Sequence, residues 1–332
     1  MQEKQVMKRY PMKLVPVAKD MIWGGTKLKD KYKKFASLDR IAESWELTVR
    51  DDGLSVIANG EYVGMTLGDY VKADPTAVGK SFDGTHFPLL IKFIDACDDL
   101  SIQVHPDDEY AQTVEQDSGK TEMWYIVDAV PGAEIIYGLS DGTGVDDFKS
   151  ALRSCNIEGS LNRIKVQAGE VYFIPAGQVH AICHGVLIAE IQQNSNLTYR
   201  IYDYDRVDSQ GKKRELHISK ALDSVKSYSS RDIDDLRFCR KELRRRLPYS
   251  FKALCDCKYF RVSLAELKEN GKASFTVDEN SFASLLFTDA ENTSVIACGN
   301  IIQISAGDSI FIPAGSGDVT ICGSFKALIS EC

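Results

Sequence analysis

Apolar and polar positions alternate in short runs along most of this chain, and glycine, proline and acidic turn residues interrupt the runs every few positions. The alternation predicts strands at 44–49, 89–94, 101–104, 122–127, 134–138, 171–174, 186–192 and 198–202. A different period appears over 66–78, where Leu67, Tyr70 and Val71 recur at helical spacing behind Thr66 as N-cap, with Asp69 in the first turn. Two more helices are expected, one from Asp146 and Asp147 through Leu152 and one over 217–225. The stretch 229–249 is rich in charge and poor in apolar periodicity. Alternation then returns at 259–264, 281–287 and 301–304.

A thirteen-residue pattern occurs twice. Residues 168–180 read AGEVYFIPAGQVH and residues 306–318 read AGDSIFIPAGSGD. Each copy is a turn, a short apolar strand and a second turn, the local unit of a small antiparallel barrel. Only the first copy ends in histidine, so the fold is duplicated and the chemistry is not. The length of 332 residues suits two domains. The expected division is 1–228, a charged linker over 229–250, and a second barrel over 251–332.

Composition narrows the function classes. A net charge of −8 argues against nucleic acid or an anionic membrane as the partner, while leaving room for a local basic pocket. The run Arg240, Lys241, Glu242, Leu243, Arg244, Arg245, Arg246 sits among Asp232, Asp234 and Asp235, which makes it a solvated linker rather than a nucleic-acid patch. Nine cysteines with no Cys-x-x-Cys pair read as reduced thiols of a cytoplasmic protein. Cys255 and Cys257 are read as core or surface residues, and no segment resembles a signal peptide or a membrane span.

Candidate chemistry lies in four segments. In Leu100 to Pro106, Ser101, Gln103 and His105 alternate with Ile102 and Val104, so a strand puts the three polar side chains on one face. Taken alone, that face fits a wetted surface strand as well as a metal site. Lys120 and Glu122 share a face opposite Thr121 and Met123, and His180 ends the first repeat where its strand returns. Gln103, His105, Glu122 and His180 make a mixed oxygen and nitrogen set suited to one Zn²⁺. Glu190 with Gln192, and Arg200 with Thr198 and Tyr202, add a carboxylate able to carry a proton and a cation able to offset negative charge. His86, His184 and His217 are read as surface or capping residues, and Asp318 of the second repeat stands where His180 stands in the first.

Together these segments closely resemble the type I phosphomannose isomerases in their compact bacterial form. The resemblance runs through Trp23 to Leu28, Glu43 to Glu46, Phe87 to Ile94, Leu100 to Asp107, Gly119 to Trp124, the Ile-Pro-Ala-Gly-x-x-His segment and Tyr199 to Arg206. It spans most of the first ~225 residues. It implies a mainly β fold of two cupin-type jelly-roll barrels with small helical insertions, the first of them catalytic and the second without a metal site. It lacks the large helical domain of the longer enzymes. The family's zinc ligands fall on Gln103, His105, Glu122 and His180, its catalytic residues on Arg200, Lys120 and Glu190, and its substrate cleft on Ser101 and Lys92.

The implied reaction interconverts mannose 6-phosphate and fructose 6-phosphate through a cis-enediol, with Glu190 or Lys120 moving the proton. The implied partner is a small sugar phosphate, and the chain is expected to be a monomer or weak homodimer. Three alternatives use the same residues: a silent cupin that binds or senses a sugar phosphate, a metal-dependent isomerase or epimerase for another sugar, and a redox cupin. The first would want a ligand or the arginine missing, and the last would want iron or manganese.

Overall fold

A computed structural model describes residues 7–240 and 251–332, apart from 81, 155, 208 and 209. Strands predominate and pair antiparallel. The predicted strands form with small shifts at their ends, as Leu89–Ala96, Ile102–Val104, Glu122–Ala129, Glu134–Leu139, Val171–Ile174, Val186–Gln193 and Tyr199–Tyr202. The helix expected over 66–78 is shorter, Leu67–Ala73: Thr66 caps it by accepting from the Asp69 amide at 3.0 Å, and Pro75 ends it, a 3₁₀ turn following at Pro75–Ala77. The other two expected helices are Val145–Arg153 and Ile218–Ser224.

The chain divides into two compact units that interleave in sequence. One comprises residues 18–44 and 93–237, and the other the residues up to 17, 45–92 and those from 238 onward. This differs from the contiguous division at 228 and 251. In the second unit, Met12–Val15 pairs antiparallel with Ser309–Ile312, and Val56–Ile57 pairs with Met12–Val15, so early strands complete a sheet begun by late ones. That sheet runs Phe251–Asp256, Arg261–Val277, Gly317–Glu331, Ala283–Ala297, Ser309–Ile312, Met12–Val15, Val56–Ile57, with Asn300–Ile304 paired to Ala283–Ala297. One face of it buries Leu285, Phe287, Val295, Ile310, Ile312, Ile321 and Ile329.

The first part of the expected charged linker contains a helix, Ser230–Arg237. Ser229 and Asp232 exchange hydrogen bonds, the Ser229 hydroxyl accepting from the Asp232 amide at 3.2 Å and the Asp232 carboxylate from the Ser229 amide at 2.9 Å. This reciprocal cap starts the helix Ser230–Arg237. The rest of the expected linker, 241–250, lies outside the described residues.

In the unit holding 93–237, a five-stranded sheet runs Leu161–Lys165, Glu134–Leu139, His180–Ile182, Ile102–Val104, Tyr199–Tyr202. A six-stranded sheet includes Val171–Ile174, Glu122–Ala129 and Val186–Gln193 in that order. Both contribute to one apolar cluster, with Trp124, Ile126, Ile174 and Ile188 from the second and Ile135 and Ile182 from the first. The two sheets of this unit thus face one another across a shared apolar core, the arrangement of a double-sheet jelly roll. No strand path among the described residues closes on itself, since twisted sheets fill a common core without joining edges. Behind the five-stranded sheet, Ile102, Val104, Tyr199 and Ile201 pack on Phe148, Leu152 and Ala221 of the two helices and on Val225, just past the second. This packing turns the alternate residues Gln103 and Arg200 the other way.

The repeat keeps its backbone geometry. Gly169 and Gly177 in the first copy, and Gly307 and Gly315 in the second, all adopt positive φ, eight residues apart in each case, and flank equivalent strands. The copies part at their last residue. His180 is fully buried, whereas Asp318 is exposed and accepts from the Thr276 hydroxyl at 2.9 Å.

Candidate active site

Neighbouring strands bring the polar residues into rows. Across the five-stranded sheet, His180 stands opposite Gln103, and Gln103 opposite Arg200. Across the six-stranded sheet, Glu122 lies between Ile174 and Gln192, and Trp124 opposite Glu190. A one-residue slip in any of these strands would turn its polar set toward the other face.

His105, Glu122 and His180 meet in the interior, with one potential ligand atom from each lying within 4.8 Å of the others. Glu122 Oε2 is 3.3 Å from His105 Nε2, and Oε1 is 3.5 Å from His180 Nε2. The loop after His105 is drawn tight around this group. Gly177 donates its amide to the His105 carbonyl at 2.8 Å, and Lys120 donates to the Pro106 carbonyl at 3.0 Å.

Electrostatics prepare these groups for a cation. Burial would raise the Glu122 carboxyl, but the Lys120 ammonium, 3.1 Å away, leads the opposing effects, and the group is held well below the usual carboxylate range. Burial drives His105 down to about 3, with Lys120 pushing the same way, and burial also lowers His180. The result is one carboxylate beside two neutral imidazoles, the protonation state of metal ligands. His180 Nδ1 lies 2.9 Å from the Gln178 carbonyl, which turns Nε2 toward Glu122.

The polar atoms left over fit the same conclusion. Both ring nitrogens of His105 and both carboxylate oxygens of Glu122 are buried without a hydrogen bond among the described residues, Glu122 Oε2 having the Lys120 ion pair and Oε1 no such cation beside it. An ion held by these atoms would satisfy what otherwise costs about 1–3 kcal/mol for each orphaned group. Gln103 Nε2 lies 3.4 Å from His180 Nε2, and a half-turn of the amide would present Oε1 at that point instead. The four expected ligands are thus assembled, three by carboxylate and imidazole contacts and Gln103 through His180.

Among the other expected residues, Glu190 accepts from the Trp124 indole at 3.0 Å, and Ser101 accepts from Arg200 Nε at 3.3 Å. Lys92 is buried with its ammonium 5.2 Å from the Trp45 ring centre, in the other compact unit. His86 and His184 are exposed, as expected. Two partners escaped the sequence reading: Trp124, whose alternation with Glu122 on one strand face was a usable signal, and His217, which had none.

Comparison with known proteins agrees with this geometry. The family described as phosphomannose isomerase type I, catalytic domain, matches residues 12–135. Mannose-6-phosphate isomerase ManA of Bacillus subtilis is 36% identical over 322 residues, which cover 97% of this chain and 98% of that protein. The chain belongs to the type I phosphomannose isomerase family. The crystal structure of the mannose 6-phosphate isomerase from Bacillus subtilis superposes with a TM-score of 0.83 at 34% identity, covering 96% of this chain and 99% of the other. A single-residue variant of phosphomannose isomerase from Salmonella typhimurium shares the fold, with a TM-score of 0.74 at 17% identity over 96% and 98% of the two chains.

Proposed function

We propose that this chain is a zinc-dependent aldose–ketose isomerase that interconverts mannose 6-phosphate and fructose 6-phosphate. The observation that carries the reading is the buried His105–Glu122–His180 group, whose His180 shares a strand row with Gln103 and Arg200, in a chain whose relatives bear that activity in their names. Gln103, His105, Glu122 and His180 would hold the ion, whose tetrahedral nitrogen and oxygen preference fits them and which supplies Lewis-acid polarisation of sugar oxygens when bound.

The protein groups divide the remaining work. Trp124 donates to Glu190 and so supports its carboxylate form, a proton acceptor, whereas Lys120 is engaged as a cation with Glu122. Glu190 is accordingly assigned the carbon proton transfer: it takes the proton from C2 of the aldose and returns it to C1, the electron pair passing through a cis-enediol while O1 gains a proton and O2 loses its own. Arg200 lies beside Gln103 and would offset the negative charge that develops on the sugar oxygens. Ser101, which orients the Arg200 guanidinium, and Lys92 are assigned to substrate binding. Metal chemistry is assigned to the repeat ending in His180, with 251–332 carrying none.

A silent sugar-phosphate-binding cupin would be favoured by loss of a ligand or of the arginine, and all are present. A cytoplasmic setting fits the eight described cysteines, none of which is in a disulfide. The deciding experiment is a coupled assay of mannose 6-phosphate conversion on one preparation as purified, chelator-treated and zinc-restored. Loss and recovery of activity support the reading, and a zinc-loaded protein without activity on this substrate would overturn it.

A further inference from the structure

We propose that His217 is the positioning residue for Arg200, an inference that rests on the role assigned to Arg200 above. Arg200 lies on Tyr199–Tyr202, the edge strand of the five-stranded sheet, where backbone groups on the outer side lack a strand partner. His217 supplies both missing bonds. Its amide donates to the Arg200 carbonyl at 2.8 Å, and its Nδ1 accepts from the Arg200 amide at 3.2 Å. One residue thus continues the sheet by a single rung. Because the Arg200 amide donates to it, Nδ1 carries no proton and the tautomer is fixed with the proton on Nε2.

The neighbours of His217 tighten the same grip. The Glu215 carbonyl accepts from Arg200 Nη1 at 2.8 Å, so 215–217 hold the arginine at its backbone and at its guanidinium. The segment is fixed from both sides. Before it, Arg214 Nε donates to Asp203 at 2.8 Å; after it, the His217 carbonyl accepts from the Ala221 amide at 2.9 Å and starts the helix Ile218–Ser224. His217 precedes that helix, yet its side chain makes no capping bond. The imidazole is turned to the strand instead. Burial and the nearby Arg200 and Lys220 cations lower its pKa against the opposing pull of Glu215 and Glu115, which favours the neutral, accepting ring.

A residue that sets the reach of a charge-stabilising arginine acts on turnover, since displacement by about 1 Å can cost on the order of 100-fold in rate. The test measures kcat, bound metal and Tm for His217→Ala, His217→Ser and His217→Asn, each also combined with Arg200→Ala. Serine can cap the helix but cannot reach the Arg200 amide, whereas asparagine places an acceptor where Nδ1 stands.

The expected result is a kcat about 10- to 100-fold lower in the alanine and serine variants with metal retained, recovery to within about threefold in the asparagine variant, and no further loss in the Arg200→Ala background. Full turnover in His217→Ala would overturn the proposal. So would equal impairment of alanine and asparagine, serine matching asparagine, or an undiminished loss without Arg200. If His217→Ala does not fold, the contrast between serine and asparagine decides. Near-normal turnover of Arg200→Ala alone would overturn the reading of the site itself. A crippled Arg200→Ala beside an intact His217→Ala would overturn this inference only.

Discussion

Trp124 and Glu190 stand directly opposite one another on adjacent antiparallel strands, and the indole Nε1 donates to Glu190 Oε2 at 3.0 Å. The indole is fully buried and its ring also meets His180 edge-on, with centroids 5.4 Å apart. One side chain therefore fixes a carboxylate on one side and a candidate ligand on the other. Trp124→Phe should keep most of the packing while losing the donor, destabilising the fold by about 1–3 kcal/mol and lowering kcat more than KM changes. Steady-state kinetics with a denaturation curve would check this; unchanged kcat would dissociate Trp124 from the proton transfer.

Gly119 introduces the segment that carries Lys120 and Glu122. A Cβ built there would lie 2.5 Å from the Asp108 amide nitrogen and 2.6 Å from the Asp107 carbonyl carbon, backbone atoms that cannot rotate away. Gly119→Ala should force the loop outward, lowering both bound metal and Tm. Metal analysis beside calorimetry is the check, and an alanine variant with full metal content would show that the loop yields without moving the ligands.

Asp203 is nearly buried and bonded to two arginines, Arg214 and Arg206, the latter at 2.7 Å. Burial raises its pKa, but the two guanidinium groups prevail and hold it below the ordinary carboxylate value. The sign follows from that direction. With the folded pKa below the unfolded value of about 3.9, the stabilisation is fully present above that value and is lost as pH falls through the folded pKa. Asp203→Asn should lower Tm at neutral pH, and the gap to the unmodified protein should close on acidification below about pH 4. A gap that stays constant with pH would assign the effect to packing rather than charge.

Metal removal should act on stability as well as activity. With His105 and Glu122 carrying buried atoms that make no hydrogen bond among the described residues, an ion that binds the folded chain stabilises it by mass action, about 2.7 kcal/mol at a free concentration 100 times Kd. Chelation should lower Tm and zinc should restore it, and His180→Ala should abolish the zinc-dependent shift. A Tm indifferent to chelator in metal-loaded protein would place the ion elsewhere.

The alternation of Gln103 with Ile102 and Val104, and of Glu122 with Met123, was enough to put the polar members on one face, because a strand has a period of two regardless of its surroundings. The repeat at 168–180 and 306–318 carried its own turns, since glycine at positive φ is a local requirement. The family's motifs supplied the roles. What local pattern could not supply was pairing between distant segments. That Met12–Val15 completes a sheet with Ser309–Ile312 depends on which edge remains open once the late strands have paired, and no residue in either strand encodes it alone. The helix at Ser230–Arg237 was hidden because a capping pair outweighs sparse apolar periodicity. Trp124 against Glu190, and His217 against Arg200, are likewise decisions of register and chain return. Which side chains share a face follows from local periodicity, whereas the meeting of faces, edges and loops comes from the packing of the whole unit, which chooses hydrogen-bond partners far apart in the chain.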